Sequence, residues 1–325
     1  MQLLFSPLVQ QAICVAAKLK LADLVVQPKT ATQLASLTQS HPEALYRVMR
    51  LLESVGIFYE NEHHQFELTP MASLLRSDVK NTMHSFAKMM GEDWLWQNWG
   101  ELMHCVKTGE TAQRKVHGMG GFEFFSQHPK AGEVFNKAMT ELSESVIPAI
   151  VEAYDFAHYP TVADIAGGQG MLLVGILKAN PLIAGVLFEQ PEVLSGASTL
   201  LQHEGALNRV KLLSGDFLES IPAGADLYLM KHILHDWDDE VNKRILSNIQ
   251  KVMSSESKLL IIEMIVPQGS EPSPSKIMDL QMLIMEGGKE RTQAEYGQLL
   301  AAAQLQLLRI IPTRSAYSII EASRI

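Results

Sequence analysis

The chain has 325 residues, a formal net charge of −9, 47% apolar and 19% charged residues, and two cysteines, Cys14 and Cys105. Its length suits two domains with a buried core, and its composition is that of a soluble globular protein. The acidic balance argues against nucleic acid as a partner, since phosphate binding needs a basic face, and two cysteines exclude a disulfide scaffold or a cysteine-rich zinc site and fit a reducing compartment.

The opening stretch, MQLLFSPLVQQAICVAAKLK, has an apolar run, but its first cation, Lys18, follows that run instead of preceding it. A packing helix is therefore expected, not a secretory leader. No apolar run reaches the roughly 18 residues that span a bilayer, so a cytoplasmic protein without membrane contact is expected. LLFSPLVQQAICVAAKL carries more hydrophobic surface than a solvent-facing helix shows, and burial in a homodimer accounts for it.

TATQLASLTQS offers Thr30 or Thr32 as a helix cap, with Leu34 and Leu37 three apart. SHPEALYRVMRLLESVG predicts a helix with Ser40 as N-cap, Pro42 in the first turn and Gly56 as the stop. IFYENEHHQFELT reads as two short strands around a polar turn. Helix, helix, hairpin is the order of a winged helix. Arg47 and Arg50 are balanced by Glu43 and Glu53, and the wing ENEHHQ holds two acids and no Lys or Arg, so packing or dimerisation is expected before DNA binding. Residues 1–110 are assigned to this winged-helix-like dimerisation domain, and 111–325 to a helical connector followed by an α/β core from about residue 160.

Residues 80–160 lack strand character and read as helices rich in Met83, Met89, Met90, Trp94, Trp96, Trp99, Phe135 and Met139. Most of these are expected in ordinary core, although adaptable methionines beside rigid aromatics also line pockets for flat apolar ligands. From Thr161 the rhythm changes. TVADIA, GVLFEQ, VKLLSGD, ADLYLMK and KLLIIEMI are short apolar runs, each followed by a helical stretch, which predicts a mostly parallel sheet covered on both faces. A helix near 292–303 and the runs LQLLRII and SAYSIIEA add a closing antiparallel pair. Ligands of such sheets bind at the carboxyl ends of the strands.

The first strand ends in ADIAGGQGML. Counted from Gly168, the dinucleotide pattern G-x-G-x-x-G finds Gly168 and Gly170 but Leu173 in place of the third glycine. Asp164 decides against a pyrophosphate, because a carboxylate there repels an anion at the helix N-terminus. It suits a cationic ligand without phosphate, such as S-adenosylmethionine, and Ala166, Gly167, Gly168 and Gly170 let backbone approach it. Capping of the following turn is the plainer role for Asp164. Glu189, closing GVLFE, is placed to accept from two ribose hydroxyls, as in dinucleotide sites. Asp216 and Phe217 offer an acceptor for an adenine amino group and an apolar face beside it. Lys231 ends ADLYLMK, placed to contact the cofactor or the strand-end loop.

VADIAGGQG, FEQPEVL, SGDF, LYLMKHILHDWDDE, LLIIEMIVP and GGKERT together resemble the successive motifs of the S-adenosylmethionine-dependent small-molecule O-methyltransferases, the caffeic-acid, hydroxyindole and bacterial polyketide type. The resemblance covers nearly the whole chain. It implies a Rossmann-like class I methyltransferase domain, mostly parallel with an antiparallel closing strand, behind a winged-helix domain that serves dimerisation and helps close the acceptor site. The family usually has Gly at Ala166 and commonly Asp at Glu189; both replacements keep the chemistry.

Methyl transfer from a sulfonium is an in-line displacement that needs alignment and a deprotonated acceptor. A phenol, with a pKa of about 10, benefits from a general base, and histidine, near 6.5, suits that task. MKHILHDWDD offers His232 and His235; His235 lies in the loop before a helix that Asp236 or Asp238 caps, and it matches the family's catalytic histidine. The resemblance also implies that Glu263 and Glu290 flank it, the latter having a helix-start role as its plainer alternative. No metal is expected, because no second histidine stands at ligand spacing. Met89, Phe135, Met139, Met282 and Met285 are candidate walls for a phenolic acceptor. Competing readings are a family member with non-methylating chemistry (hydroxylation or decarboxylation), a DNA-binding regulator, and a nicotinamide dehydrogenase, which Asp164 and the absent third glycine oppose.

Overall fold

The computed structural model describes residues 2–325, with Gln2 described by its backbone alone. These residues form two compact units: those up to Gly100 with Phe122–Ser145, and Glu101–Gly121 with Val146–Ile325. The chain passes between the units more than once. Among the described residues, no helix is long and apolar enough to cross a membrane.

In the first unit the helix Gln2–Lys18 buries Ala12, Cys14, Ala16 and Ala17, whereas Leu3, Leu4, Phe5 and Leu8 are exposed. Strand β1 (Lys29–Thr30) leads into the helix Ala31–Thr38, which Thr30 and Gln33 close with a reciprocal capping box. The next helix, Pro42–Ser54, is capped by His41, whose Nδ1 accepts from Ala44 N–H at 3.4 Å. Ser40, the expected cap, is engaged by Thr38 Oγ1 at 2.9 Å instead. Gly56, at φ +79°, turns the chain into β2 (Phe58–Glu60) and β3 (Gln65–Leu68). The order β1-β3-β2, with Leu34, Met49, Leu52, Phe58 and Phe66 in the core beneath, is a winged helix.

The second unit is built on seven strands: β4 (Thr161–Ile165), β5 (Ala184–Glu189), β6 (Val210–Ser214), β7 (Leu227–Lys231), β8 (Lys258–Glu263), β9 (Leu305–Pro312) and β10 (Ser318–Arg324). They lie in the order β6-β5-β4-β7-β8-β10-β9; the first five are parallel, and β10 runs antiparallel to both its neighbours. Two separate hydrophobic clusters cover the two faces, which is why the strands read as unbroken apolar runs. Strand order reverses between β4 and β7, so the carboxyl ends of these adjacent strands open a crevice at a topological switch point.

Candidate active site

The loop after β4 departs from ordinary backbone at alternate positions. Ala166, Gly168 and Gly170 have φ of +55°, +58° and +85°. Ala166 adopts this conformation against the usual preference of an L-residue, held by its N–H bond to Phe188 C=O at 2.8 Å. A Cβ on Gly167 would lie 2.5 Å from the Asp164 carboxyl carbon, so only glycine lets the loop close over that side chain. Gly170 then starts the helix Met171–Ala179 without any side-chain cap.

Asp164 is 1% exposed, and neither carboxyl oxygen has a hydrogen-bond partner. It therefore does not cap the turn. Burial pushes it up to about 7, with Lys231 opposing and Glu189 adding to the rise. A buried carboxylate without donors is costly, so this group fits a ligand that brings positive charge and N–H donors. Glu189, at the end of β5, accepts from Gly168 N–H at 3.0 Å and Gln190 N–H at 2.8 Å, bracing the glycine loop; burial raises it too. Asp216 accepts from Leu218 N–H at 2.7 Å, and the Phe217 ring meets Trp237 edge-on at 6.1 Å. Burial presses the Lys231 ammonium down, and Asp164 and Glu263 pull it back up.

His235 sits in the short turn Leu234–Asp236 beyond β7 and is 4% exposed. Its Nδ1 lies 2.8 Å from Glu290 Oε1 and 3.8 Å from Glu263 Oε2, and its Nε2 lies 3.4 Å from Asp236 Oδ1. Glu263 closes β8, and its Oε1 accepts from the N–H groups of Ile233 and Leu234, both at 3.0 Å. Burial alone would lower the imidazole, but Glu263, Asp236 and Glu290 outweigh it and hold His235 up to about 10. Asp238, not Asp236, caps the helix Asp239–Val252; Asp236 is turned to the ring, and burial raises it to about 7 against the pull of His235.

His232 packs beside His235 and adds a donor to the turn. At φ +58° its ring centroid lies 4.5 Å from that of His235 and 4.6 Å from that of Tyr317. Donor atoms of His232, His235 and Glu263 all fall within 4.8 Å of one another, a set that residue spacing did not suggest. The two imidazole rings are tilted 31° to one another. His235 Nδ1 is already engaged by Glu290.

The proposed acceptor walls are divided. Met89, Phe135 and Met139 belong to the first unit, where Met89 is buried and Phe135 stacks on Phe125 at 4.5 Å. Met282 and Met285 are buried in the second unit, on the helix Pro274–Met285. Sequence reasoning passed over Asn242, Gly288 and Arg291, which all touch the backbone of the turn that carries His235. Only the charge inside the short motif GGKERT marked Arg291, and nothing in a sequence says that an arginine will be buried.

An O-methyltransferase domain model matches residues 99–306, and an O-methyltransferase dimerisation domain model matches residues 1–78. The chain belongs to the S-adenosylmethionine-dependent O-methyltransferases. Over 315 residues this methyltransferase is 42% identical to the phenazine O-methyltransferase PhzM of Lysobacter antibioticus, covering 97% of this chain and 92% of that one. The crystal structure of LaPhzM matches with a TM-score of 0.95 at 41% identity, over 100% of this chain and 98% of that one. NcsB1, an O-methyltransferase from neocarzinostatin biosynthesis solved with S-adenosylmethionine and 2-hydroxy-5-methyl naphthoic acid, matches with a TM-score of 0.82 at 30% identity, over 97% and 96% of the two chains.

Proposed function

We propose that this methyltransferase acts on a hydroxyl of a small phenolic molecule, with His235 as general base. The observation that carries the reading is the His235 imidazole, fixed between Glu290 and Asp236 at the same end of the sheet as the unpartnered carboxylate of Asp164. When bound, S-adenosylmethionine supplies an activated methyl group on a positively charged sulfur. Asp164 receives its cationic end and Glu189 its ribose hydroxyls. Asp216 and Phe217 take the adenine, by acceptor and apolar face, and Lys231 braces the strand end between Asp164 and Glu263.

Glu290 and Glu263 orient the ring through its Nδ1 side and stabilise its charged form, leaving Nε2 and Asp236 on the other side to draw the proton from the acceptor hydroxyl. Met282 and Met285, in the same unit as His235, remain proposed walls for an aromatic acceptor. The relatives named for phenazine and naphthoic acid chemistry support a flat, hydroxylated one. A homodimer is supported by the dimerisation-domain match and by the exposed Leu3, Leu4, Phe5 and Leu8. Two free cysteines, both buried, support a reducing compartment.

Incubation with isotope-labelled S-adenosylmethionine and a panel of phenols, read by mass spectrometry, tests the reaction. A labelled methyl on a phenolic oxygen is the expected product. Methylation confined to nitrogen or carbon, or none across the panel, overturns the acceptor assignment.

A further inference from the structure

The turn that carries His235 is gripped by two side chains that do not bond to the imidazole. Leu234 C=O accepts from Asn242 Nδ2 at 2.7 Å and from Arg291 Nη1 at 2.8 Å. Trp237 C=O accepts from the same pair, from Asn242 Nδ2 at 2.9 Å and Arg291 Nη2 at 2.9 Å. One carbonyl precedes His235 and the other follows it, so both ends of the turn are held.

Both grips are anchored. Asn242 and Arg291 are each 0% exposed. Arg291 Nε and Nη2 donate to Asp239 Oδ1 at 3.0 and 2.8 Å, and Arg291 C=O accepts from Val266 N–H at 3.0 Å, just beyond β8. Gly288 completes the fit: a Cβ there would lie 1.9 Å from His235 C=O, so this segment lies directly on the turn. Glu290 and Arg291 are consecutive, so one stretch of backbone holds both the ring and the peptide units around it.

Burying a guanidinium is costly, and well-packed apolar side chains often serve stability as well or better. What an apolar residue cannot do is fix two carbonyls at once. We propose that Arg291 and Asn242 are positioning residues of the methyl transfer, a clamp that keeps the Leu234–Trp237 turn in the one register where His235 meets Glu290 and Asp236. The effect on turnover rests on His235 acting as the base; the registration of the ring does not.

Arg291→Met removes the donors at similar length, and Arg291→Lys restores a charge with a single donor group. The test combines histidine-labelled NMR titration of the His235 ring, calorimetry with S-adenosylhomocysteine, and kcat and KM for an accepted phenol. Arg291→Met is expected to fold and bind S-adenosylhomocysteine like the wild type, while His235 titrates nearer its ordinary value of about 6.5. Its kcat should fall by about 10- to 100-fold with KM little changed, the usual effect of a misplaced catalytic group, and Arg291→Lys should recover part of the loss.

An unshifted His235 titration with wild-type kcat in folded Arg291→Met overturns the clamp. Should His235→Ala retain full turnover, the base assignment falls, while the titration in Arg291→Met still decides the clamp. If Arg291→Met does not fold, Asn242→Leu, which keeps the guanidinium, carries the same expectation, and a wild-type titration and kcat there overturn it.

Discussion

His235 and Glu290 lie 55 residues apart in the chain, yet Nδ1 of one stands 2.8 Å from Oε1 of the other with both side chains buried. The separation is closed by β8, which brings Glu263 beside the turn, and by the segment after Gly287, whose backbone pairs with Ile265 beyond β8 through Arg291. The imidazole is thus set by three carboxylates from three places in the sequence, and their charge decides how it titrates.

Because His235 is held up to about 10, it keeps its proton at neutral pH in the resting protein. With the ring as base, kcat/KM is expected to rise through the alkaline range and not near the ordinary histidine value of about 6.5. His235→Ala should lose that limb and about 10²–10⁴ in turnover, with S-adenosylhomocysteine affinity retained. A dinitrophenol acceptor, already ionised at neutral pH, separates this limb from the acceptor's own titration. A limb that survives in His235→Ala assigns it to the acceptor. The same raised value gives a stability term that is fully present below about pH 6.5 and lost as pH rises through about 10, so the wild-type melting temperature should fall across that window more than the variant's.

Asp164 carries the opposite balance. Raised to about 7 from an ordinary 3.8, it favours the folded state only while protonated, so that contribution is present below pH 3.8 and lost as pH rises through 7. Asp164→Asn should therefore stabilise the ligand-free protein at pH 8 by about 1–3 kcal/mol, an advantage that vanishes toward pH 4, and should abolish S-adenosylhomocysteine binding. Glu189→Ala should weaken that binding by about 1–3 kcal/mol in calorimetry. An Asn variant that binds normally removes Asp164 from the site.

Gly288→Ala places a methyl group against His235 C=O and the Asp236–Trp237 peptide. The atoms that the methyl group meets are all backbone, so the turn itself must move. Turnover should drop by about 100-fold, while S-adenosylhomocysteine affinity stays unchanged. Wild-type kcat in a folded Gly288→Ala protein would show that the turn tolerates displacement.

The exposed leucines of the first helix give a test of assembly. Leu4→Glu with Leu8→Glu puts charge on side chains that are 80% and 60% exposed in the single chain, so neither burial nor packing within the chain opposes the change. Light scattering should find a dimer for the wild type and a shift toward monomer for the double variant. An unaltered dimer locates the interface elsewhere.

The strands of the second unit were legible because sheets covered on both faces need continuous apolar runs, and Asp164 was legible because a carboxylate at that loop contradicts phosphate binding. What escaped depends on approach in space. Ser40 has the right chemistry for a cap, but Thr38 engages it and His41 takes the role. β1 has two residues and exists only because β3 lies beside it. His232 reaches His235 through a left-handed residue that no pattern of side chains announces. Asp236 was legible as an acid near a helix start, but whether it faced the helix or the imidazole depended on Asp238 taking the cap. Arg291 and Asn242 act on carbonyls, which every residue possesses.

The closure of Gly167 over Asp164 also bears on how long the protein lasts in a cell. A folded chain with a buried carboxylate that lacks donors opens more often than one in which a bound ligand satisfies it, and opened chains are what proteases consume. Occupancy at 100 times the dissociation constant adds about 2.7 kcal/mol to the folded state. If Asp164 holds the methyl donor, starving cells of methionine is expected to shorten the half-life of this enzyme, and Asp164→Asn to make that half-life indifferent to methionine supply; a half-life unchanged by starvation in the wild type overturns the expectation.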